Sequence, residues 1–167
     1  IEERPQVVDR RKRLGDWEAD TFLGKNHNPV MLSLTERKSR FTLLGKVPQR
    51  TAQAVRQQTV RLLSPISDKV HTLTSDHGKE FADHQQIAHA LQLQFYFAHP
   101  YAAWERGTNE NTNGLLRQYF PKKHDFQLVS DKQIEHAMSR LNFRPRKCLA
   151  FKTPFEVFFK QSVALTT

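Results

Sequence analysis

Three acids in this chain stand where they could work on one substrate. Asp20 lies in DWEADTFLG, Asp76 in SDHG and Glu110 in GTNENTNG. Residues 21–75 and 77–109 separate them, 55 and 33 positions. Carboxylates gathered at one place repel one another unless a cation neutralises them. The cation that suits all-oxygen ligands and a phosphate substrate is Mg²⁺ or Mn²⁺. Two such ions about 3.5–4 Å apart activate a water or a 3′-hydroxyl and stabilise the leaving oxygen of an in-line displacement at phosphorus. Taken singly, each acid has an ordinary reading: a strand acid, a turn aspartate, and a glutamate suited to a helix dipole. Periodicity does not single out Asp20 either, because Asp16 and Glu18 share its face of the strand.

The elements that must position these acids follow from the pattern. Asp16 to Gly24 alternates, with Trp17, Ala19 and Thr21 on one face and the three acids on the other. After an Asn26-His27-Asn28-Pro29 turn, Val30 to Thr35 is a second strand. Glu36-Arg37-Lys38-Ser39 makes a polar turn, and Arg40 to Val47 a third strand. Thr51 caps a helix to about Leu63 that buries Ala52, Val55, Thr59, Leu62 and Leu63, and Ser64-Pro65 ends it. Lys69 to Thr74 is a fourth strand, free to run parallel to an earlier one through that crossover. Lys79 to Gln92 reads as helix, with Phe81, Ile87, Ala88 and Leu91 inward, and Gln94 to Ala98 as a fifth strand.

The helix carrying Glu110 follows a loop from Pro100 to Gly107. At about 100° per residue, Glu110, Asn113, Gly114 and Arg117 fall on one side, and Thr112, Leu115, Leu116 and Tyr119 on the other. A bare glycine beside an acid leaves room for something bulky to approach. Two capping boxes, Ser130 with Gln133 and Thr153 with Glu156, open two further helices. The order β-β-β-α-β-α-β-α-α-α predicts an α/β fold with a five-stranded mixed sheet, three antiparallel strands first, and helices on both faces.

Lys and Arg number 26 against 17 Asp and Glu, a net charge of +9, which points to a polyanionic partner. Residues 1–14, with the run Arg10-Arg11-Lys12-Arg13, are expected as a basic arm or linker, and 15–167 as one domain. Cys148 is the single cysteine, so these residues hold neither a disulfide pair nor a multi-cysteine zinc site. No apolar run approaches the roughly 20 residues that cross a bilayer, and the charged start is unlike a signal peptide. A cytoplasmic setting is expected. The first residue, Ile1, leads us to expect a fragment with some N-terminal part missing.

Candidate nucleic-acid contacts surround the acids. Arg106, Asn109, Asn113 and Arg117 could hold phosphates, with an Arg117–Glu110 salt bridge as the alternative for that arginine. Lys122, Lys123, Arg144, Arg146 and Lys147 are candidate backbone contacts, which position DNA without reading sequence. Tyr101 and Trp104 are candidates for stacking on a base or for core packing.

Four runs carry a family resemblance: GDWEADT, LTSDHGKEFADH, YFAHPYAAWERGTNENTNGLLRQYFPK, and LNFRPRK followed by KTPFEVF. With them the chain resembles, from about Gly15 to Phe158, the catalytic domain of the DDE transposases of bacterial insertion sequences, most closely the IS-thirty family within the retroviral-integrase-like group. The resemblance implies an RNase H-like fold. It implies that Asp20, Asp76 and Glu110 bind the metal, expected as two Mg²⁺ or Mn²⁺ ions, and so chooses Asp20 over its neighbours. It further implies cleavage at the element's ends and joining of those ends to target DNA, by a dimer or larger assembly on the bacterial nucleoid. A helix-turn-helix region that recognises the ends is expected to precede this chain. Two positions depart from the pattern, Glu36 where relatives often have Asp and His77 where they often have Asn. A nuclease of the same fold, using water alone, and a DNA-binding remnant without catalysis are the competing readings.

Overall fold

The computed structural model describes residues 1–25, 29–100, 105 and 107–161. Five strands form one mixed sheet: β1 (Asp16–Leu23), β2 (Val30–Glu36), β3 (Thr42–Val47), β4 (Thr72–Ser75) and β5 (Gln94–Phe97). Their spatial order is β3-β2-β1-β4-β5. The first three are antiparallel, and β4 and β5 run parallel to β1. This is the sheet the sequence predicts. Among the described residues six α-helices accompany it: α1 (Gln6–Asp9), α2 (Ala52–Leu63), α3 (His84–Leu91), α4 (Gly107–Leu116), α5 (Asp131–Asn142) and α6 (Pro154–Phe159).

Alternation along β1 divides the core. Trp17 and Ala19 join one cluster with Val55 and Leu63 of α2, Ile87 and Leu91 of α3 and Phe158 of α6. Phe22 joins the other, with Leu116 of α4, Phe120, Phe126, and Ile134, Ala137 and Leu141 of α5. Glu18 and Asp20 share the parity of Phe22, so the pleat aims them at the α4 side. The edge strand β3 is covered there by α5. Asn142 accepts the Thr42 N–H at 2.8 Å and donates to the Thr42 carbonyl at 2.8 Å, as a neighbouring strand would.

The helix starts agree with the expected caps. Thr51 accepts from the Ala54 N–H, and both capping boxes form. Several boundaries differ: β4, expected over 69–74, runs Thr72–Ser75, and the helix carrying Glu110 ends at Leu116, short of Tyr119. The helix expected over 79–92 is a 3₁₀ turn at Lys79–Phe81 followed by α3, with Asp83 non-helical between them. Glu80 is tied to Arg50 and Thr21, which pins that turn to the end of β1. Gln92 takes a left-handed conformation and stops α3 at Leu91. Likewise Arg40 sits at φ 66°, so β3 begins at Thr42.

The arm expected at 1–14 is not a free linker. Val8 is buried, and the buried Arg4 reaches the Thr74 hydroxyl at 3.3 Å and Asp9 at 2.5 Å. Thr74 pairs with Glu18, so the arm lies across the same sheet face as the acids. Among the described residues, no helix is long and apolar enough to cross a membrane.

Candidate active site

The register of the two central parallel strands places the first two acids. Glu18 is paired with Thr74. Two residues further along each strand's course come Asp20, within β1, and Asp76, one residue past the carboxyl end of β4. Ligands of open α/β sheets gather at such strand ends. Both aspartates are half-buried. Asp20 Oδ1 accepts the Thr21 N–H at 2.9 Å, and its Oδ2 accepts from Asn113 Nδ2 at 2.7 Å. Asp76 Oδ1 accepts the Gly78 N–H at 3.0 Å, which closes a tight turn.

Helix α4 lies over β1, fastened at two levels. At its start the Asn109 N–H, one of the four a helix leaves unpaired, donates to Glu18 Oε2 at 2.8 Å. One turn on, Asn113 holds Asp20 and accepts from the Ser33 hydroxyl at 3.0 Å. Glu18 is 0% exposed and faces Arg37, 4% exposed, with Nη1 2.9 Å from Oε1. The same Nη1 donates to the Glu105 carbonyl at 2.9 Å. Among the described residues Glu18 Oε1 has no aligned hydrogen bond. The Glu18–Arg37 contact is therefore chiefly Coulombic. Burial lowers the Arg37 pKa, and Glu18 opposes that shift. Arg40 adds a third tie, donating to Thr108 Oγ1 at 2.6 Å.

These contacts separate the acids of β1. Asp16 is buried, held by Arg13 at 2.8 Å and by the Thr72 hydroxyl at 2.8 Å. Glu18 is buried under α4. Asp20 is the acid of that strand which reaches the half-open surface beside Asp76. Glu110 is exposed on α4, one turn before Asn113 and on the same side of the helix. Among the described residues, no three His, Cys, Asp or Glu side chains come close enough together to hold a metal ion. Asp20, Asp76 and Glu110 accordingly do not form such a group.

The expected DNA contacts divide. Asn109 is 1% exposed, so it anchors the helix inside the molecule and has no surface for a phosphate. Asn113 is taken up by Asp20 and Ser33. Arg117 forms no salt bridge with Glu110; its Nη1 donates to the Leu23 carbonyl at 3.3 Å and its guanidinium lies over the Phe22 ring at 5.1 Å. Arg146 is half-buried and donates to the Leu141 carbonyl at 3.2 Å. Burial, then the nearby Arg144 charge, lowers its pKa. Lys122, Lys123, Arg144 and Lys147 are exposed. Arg106, Tyr101, Trp104 and the turn residues 26–28 lie outside the described residues.

Sequence reasoning missed the fastening of α4. The run Glu36-Arg37-Lys38-Ser39 reads as a polar turn, yet Glu36, Arg37 and Ser39 are buried. Burial raises the Glu36 pKa, against hydrogen bonds from Ser39, Lys38 and Gly15. A fourth acid, Glu80, sits under the Asp76 turn. Burial would raise its pKa, but the Arg50 hydrogen bond and others hold it below the usual value. A Cβ on Gly78 would stand 2.6 Å from Glu80 Oε2 and 2.9 Å from Asp76 Oδ1, so only glycine fits this turn undisturbed.

A β1-β2-β3 meander joined to two parallel strands, with Asp20 in β1, Asp76 just past β4 and Glu110 on α4, defines an RNase H-like fold of the retroviral-integrase type. The catalytic core of BIV integrase matches 86% of this chain and 93% of its own at a TM-score of 0.68 and 20% identity. A chain of the simian T-cell lymphotropic virus intasome in complex with the PP2A regulatory subunit B56 gamma matches 93% of this chain and 57% of its own, at a TM-score of 0.71 and 18% identity. The family profile "Integrase core domain" matches residues 10–103, and the chain belongs to that family. Among its relatives are the transposase for insertion sequence element IS4351 of Bacteroides fragilis, 46% identical over 158 residues, and the transposase InsI for IS30A of Escherichia coli K12, 40% identical over 167 residues. These matches cover 95% and 99% of this chain but 48% and 43% of the relatives. The chain spans about half the length of the curated relatives it matches.

Proposed function

We propose that this chain is the catalytic core of an insertion-sequence transposase, which nicks DNA at the element's ends and joins those ends to a target. The observation that carries the reading is that the register of β1 on β4, which pairs Glu18 with Thr74, brings Asp20 and Asp76 each two residues further along, with α4 tied to Asp20 through Asn113. The relatives' names support the reaction class. The donor set is all oxygen, which suits a hard divalent cation, and hydrogen bonds from Asn113 and Thr21 fix the orientation of Asp20 as metal ligands require. Asp20, Asp76 and Glu110 would hold Mg²⁺ or Mn²⁺. Bound there, such ions lower the pKa of the attacking oxygen and stabilise the leaving one.

The chain's own residues supply position. Asn113 keeps Asp20 in one rotamer, and Glu18 and Arg37 hold the start of α4 so that Glu110 stays within a turn of it. In the joining step, a DNA 3′-hydroxyl oxygen bonds to a target phosphorus. The bond from that phosphorus to the target 3′-oxygen breaks, and a proton passes from the attacking to the leaving oxygen. One phosphodiester forms as one is lost. Two ends must be held together, so the active form is a dimer or larger.

The test gives the intact protein a pre-cut, labelled element end with a free 3′-hydroxyl, target DNA and Mn²⁺, beside a Glu110→Gln variant. Glu110 is exposed, so that variant keeps the fold. Joined product from the wild type alone supports the proposal. Nicking without joining replaces it with a nuclease. DNA binding with neither reaction replaces it with a binding module.

A further inference from the structure

Many arginines of the first half of the chain are committed to protein partners. Arg4, Arg13, Arg37, Arg50 and Arg56 all meet acids. Arg140 and Arg144 differ from these in lining one groove together. Both are exposed, and neither makes a hydrogen bond or salt bridge with a described residue. They border a groove of about 640 Å³ between the end of α5 and the turn after α4. Tyr119 and Phe143 line it as well, together with Gln118 and Ser139, and no described acid does. Phe143 is 45% exposed and braced by a ring stack on Phe155 at 4.7 Å.

The groove is joined to the acids by one face of α4. Glu110 and Gly114 are four residues apart on α4, which puts them on one line, Gln118 follows in the turn beyond its end, and all three are exposed. A Cβ on Gly114 would meet nothing within 4 Å. Glu110 to Leu116 at about 1.5 Å per residue, with the turn to Gln118 added, spans roughly 12 Å. That is about three to four nucleotide steps of 3.4 Å.

We infer that the groove between α4 and α5 is a DNA-backbone channel, taking the phosphates three to four nucleotides away from the reacting one on Arg140 and Arg144. This rests on the transposase reading. The positive rim attracts a polyanion and supplies two guanidinium forks for phosphate oxygens. The aromatic floor gives sugars an apolar bed. Gly114 keeps the way between the two places clear. The contacts position the strand and do not read sequence.

The test measures binding of the intact protein to a labelled duplex element end in EDTA, so that catalysis plays no part, over a series of salt concentrations. Neutralising two phosphates contributes about 1.8 to the slope of log K against log salt. Arg140→Ala/Arg144→Ala should therefore flatten the slope by about that amount and weaken binding similarly on unrelated duplexes. Lys152→Ala/Lys160→Ala, on the α6 side, is the control. Gly114→Arg, which fills the open lane with a long side chain, should reduce strand joining more than binding. An unchanged slope in the arginine variant, or the same loss in the lysine variant, overturns the channel while leaving wild-type joining intact. A wild type that binds no DNA overturns the channel and the transposase reading together.

Discussion

Replacing Glu18 by Gln tests what the buried pair beneath α4 does. The change keeps the shape and an acceptor for the Asn109 N–H, now at 2.8 Å, and removes the charge opposite Arg37. Removing one partner of a buried pair costs about 3–5 kcal/mol, since the other charge is left in a poorly solvated place. Arg37 retains the Glu105 carbonyl, and Asp9 lies 3.8 Å away. The loss therefore belongs at the lower end, about 3 kcal/mol. For a domain of this size each kcal/mol moves Tm by about 2–4 °C, so Glu18→Gln should melt roughly 6–12 °C lower. Arg37→Met should cost a similar amount. Glu18→Gln/Arg37→Met should cost less than the two together by at least about 1 kcal/mol, because no charge is then stranded. Thermal unfolding of the four proteins by circular dichroism measures the cycle. A Glu18→Gln protein within about 1 kcal/mol of wild type, or strict additivity, would refute the reasoning.

Two further outcomes follow from the same geometry. Gly78→Ala brings a methyl group within 2.9 Å of Asp76 Oδ1, so it should lower strand joining at least about tenfold while Tm moves by only a few degrees; joining at the wild-type rate would show that Asp76 does not depend on that turn. At the docked arm, His99 Nδ1 meets Glu105 at 2.8 Å and Nε2 meets Glu2 at 2.6 Å. The hydrogen bond with Glu105, then that with Glu2, raises the His99 pKa above 6.5. A backbone hydrogen bond, then His99, lowers Glu2 from 4.5 to about 2. The histidine contribution is whole below pH 6.5 and is lost as pH rises through the raised value. The Glu2 contribution is whole above pH 4.5 and is lost as pH falls towards 2. Amide exchange in residues 4–10 should accordingly be slower, relative to the intrinsic rate, at about pH 6 than at about pH 8.5. Equal protection at both would mean that this tether does not hold the arm.

Local pattern determined the sheet and most helix starts. Alternation in DWEADTFLG and the order of strands and helices require a meander followed by parallel strands, and the capping residues Thr51, Ser130 and Thr153 act through neighbours three positions away. Such features are legible because their causes are short-range. The choice among the acids of β1 was not. Asp16, Glu18 and Asp20 share one face, and only long-range contacts distinguish them. Thr72 and Arg13 take Asp16, the Asn109 N–H and Arg37 take Glu18, and Asn113 holds Asp20 at the open end.

The same cause redirected the polar residues around Glu110. Asn109, Asn113 and Arg117 looked like a DNA-facing set because their types suit phosphates. Packing of α4 on β1 turned them inward, the Asn109 backbone N–H to Glu18, Asn113 to Ser33 and Asp20, and Arg117 to the Leu23 carbonyl, since a helix laid over strand acids must satisfy them. Arg37, in what reads as a surface turn, became buried for the same reason. Hydrophobic periodicity records which side of an element meets apolar neighbours. It carries no mark for a polar side chain whose partner lies 90 residues away, and that information exists only once the chain has folded.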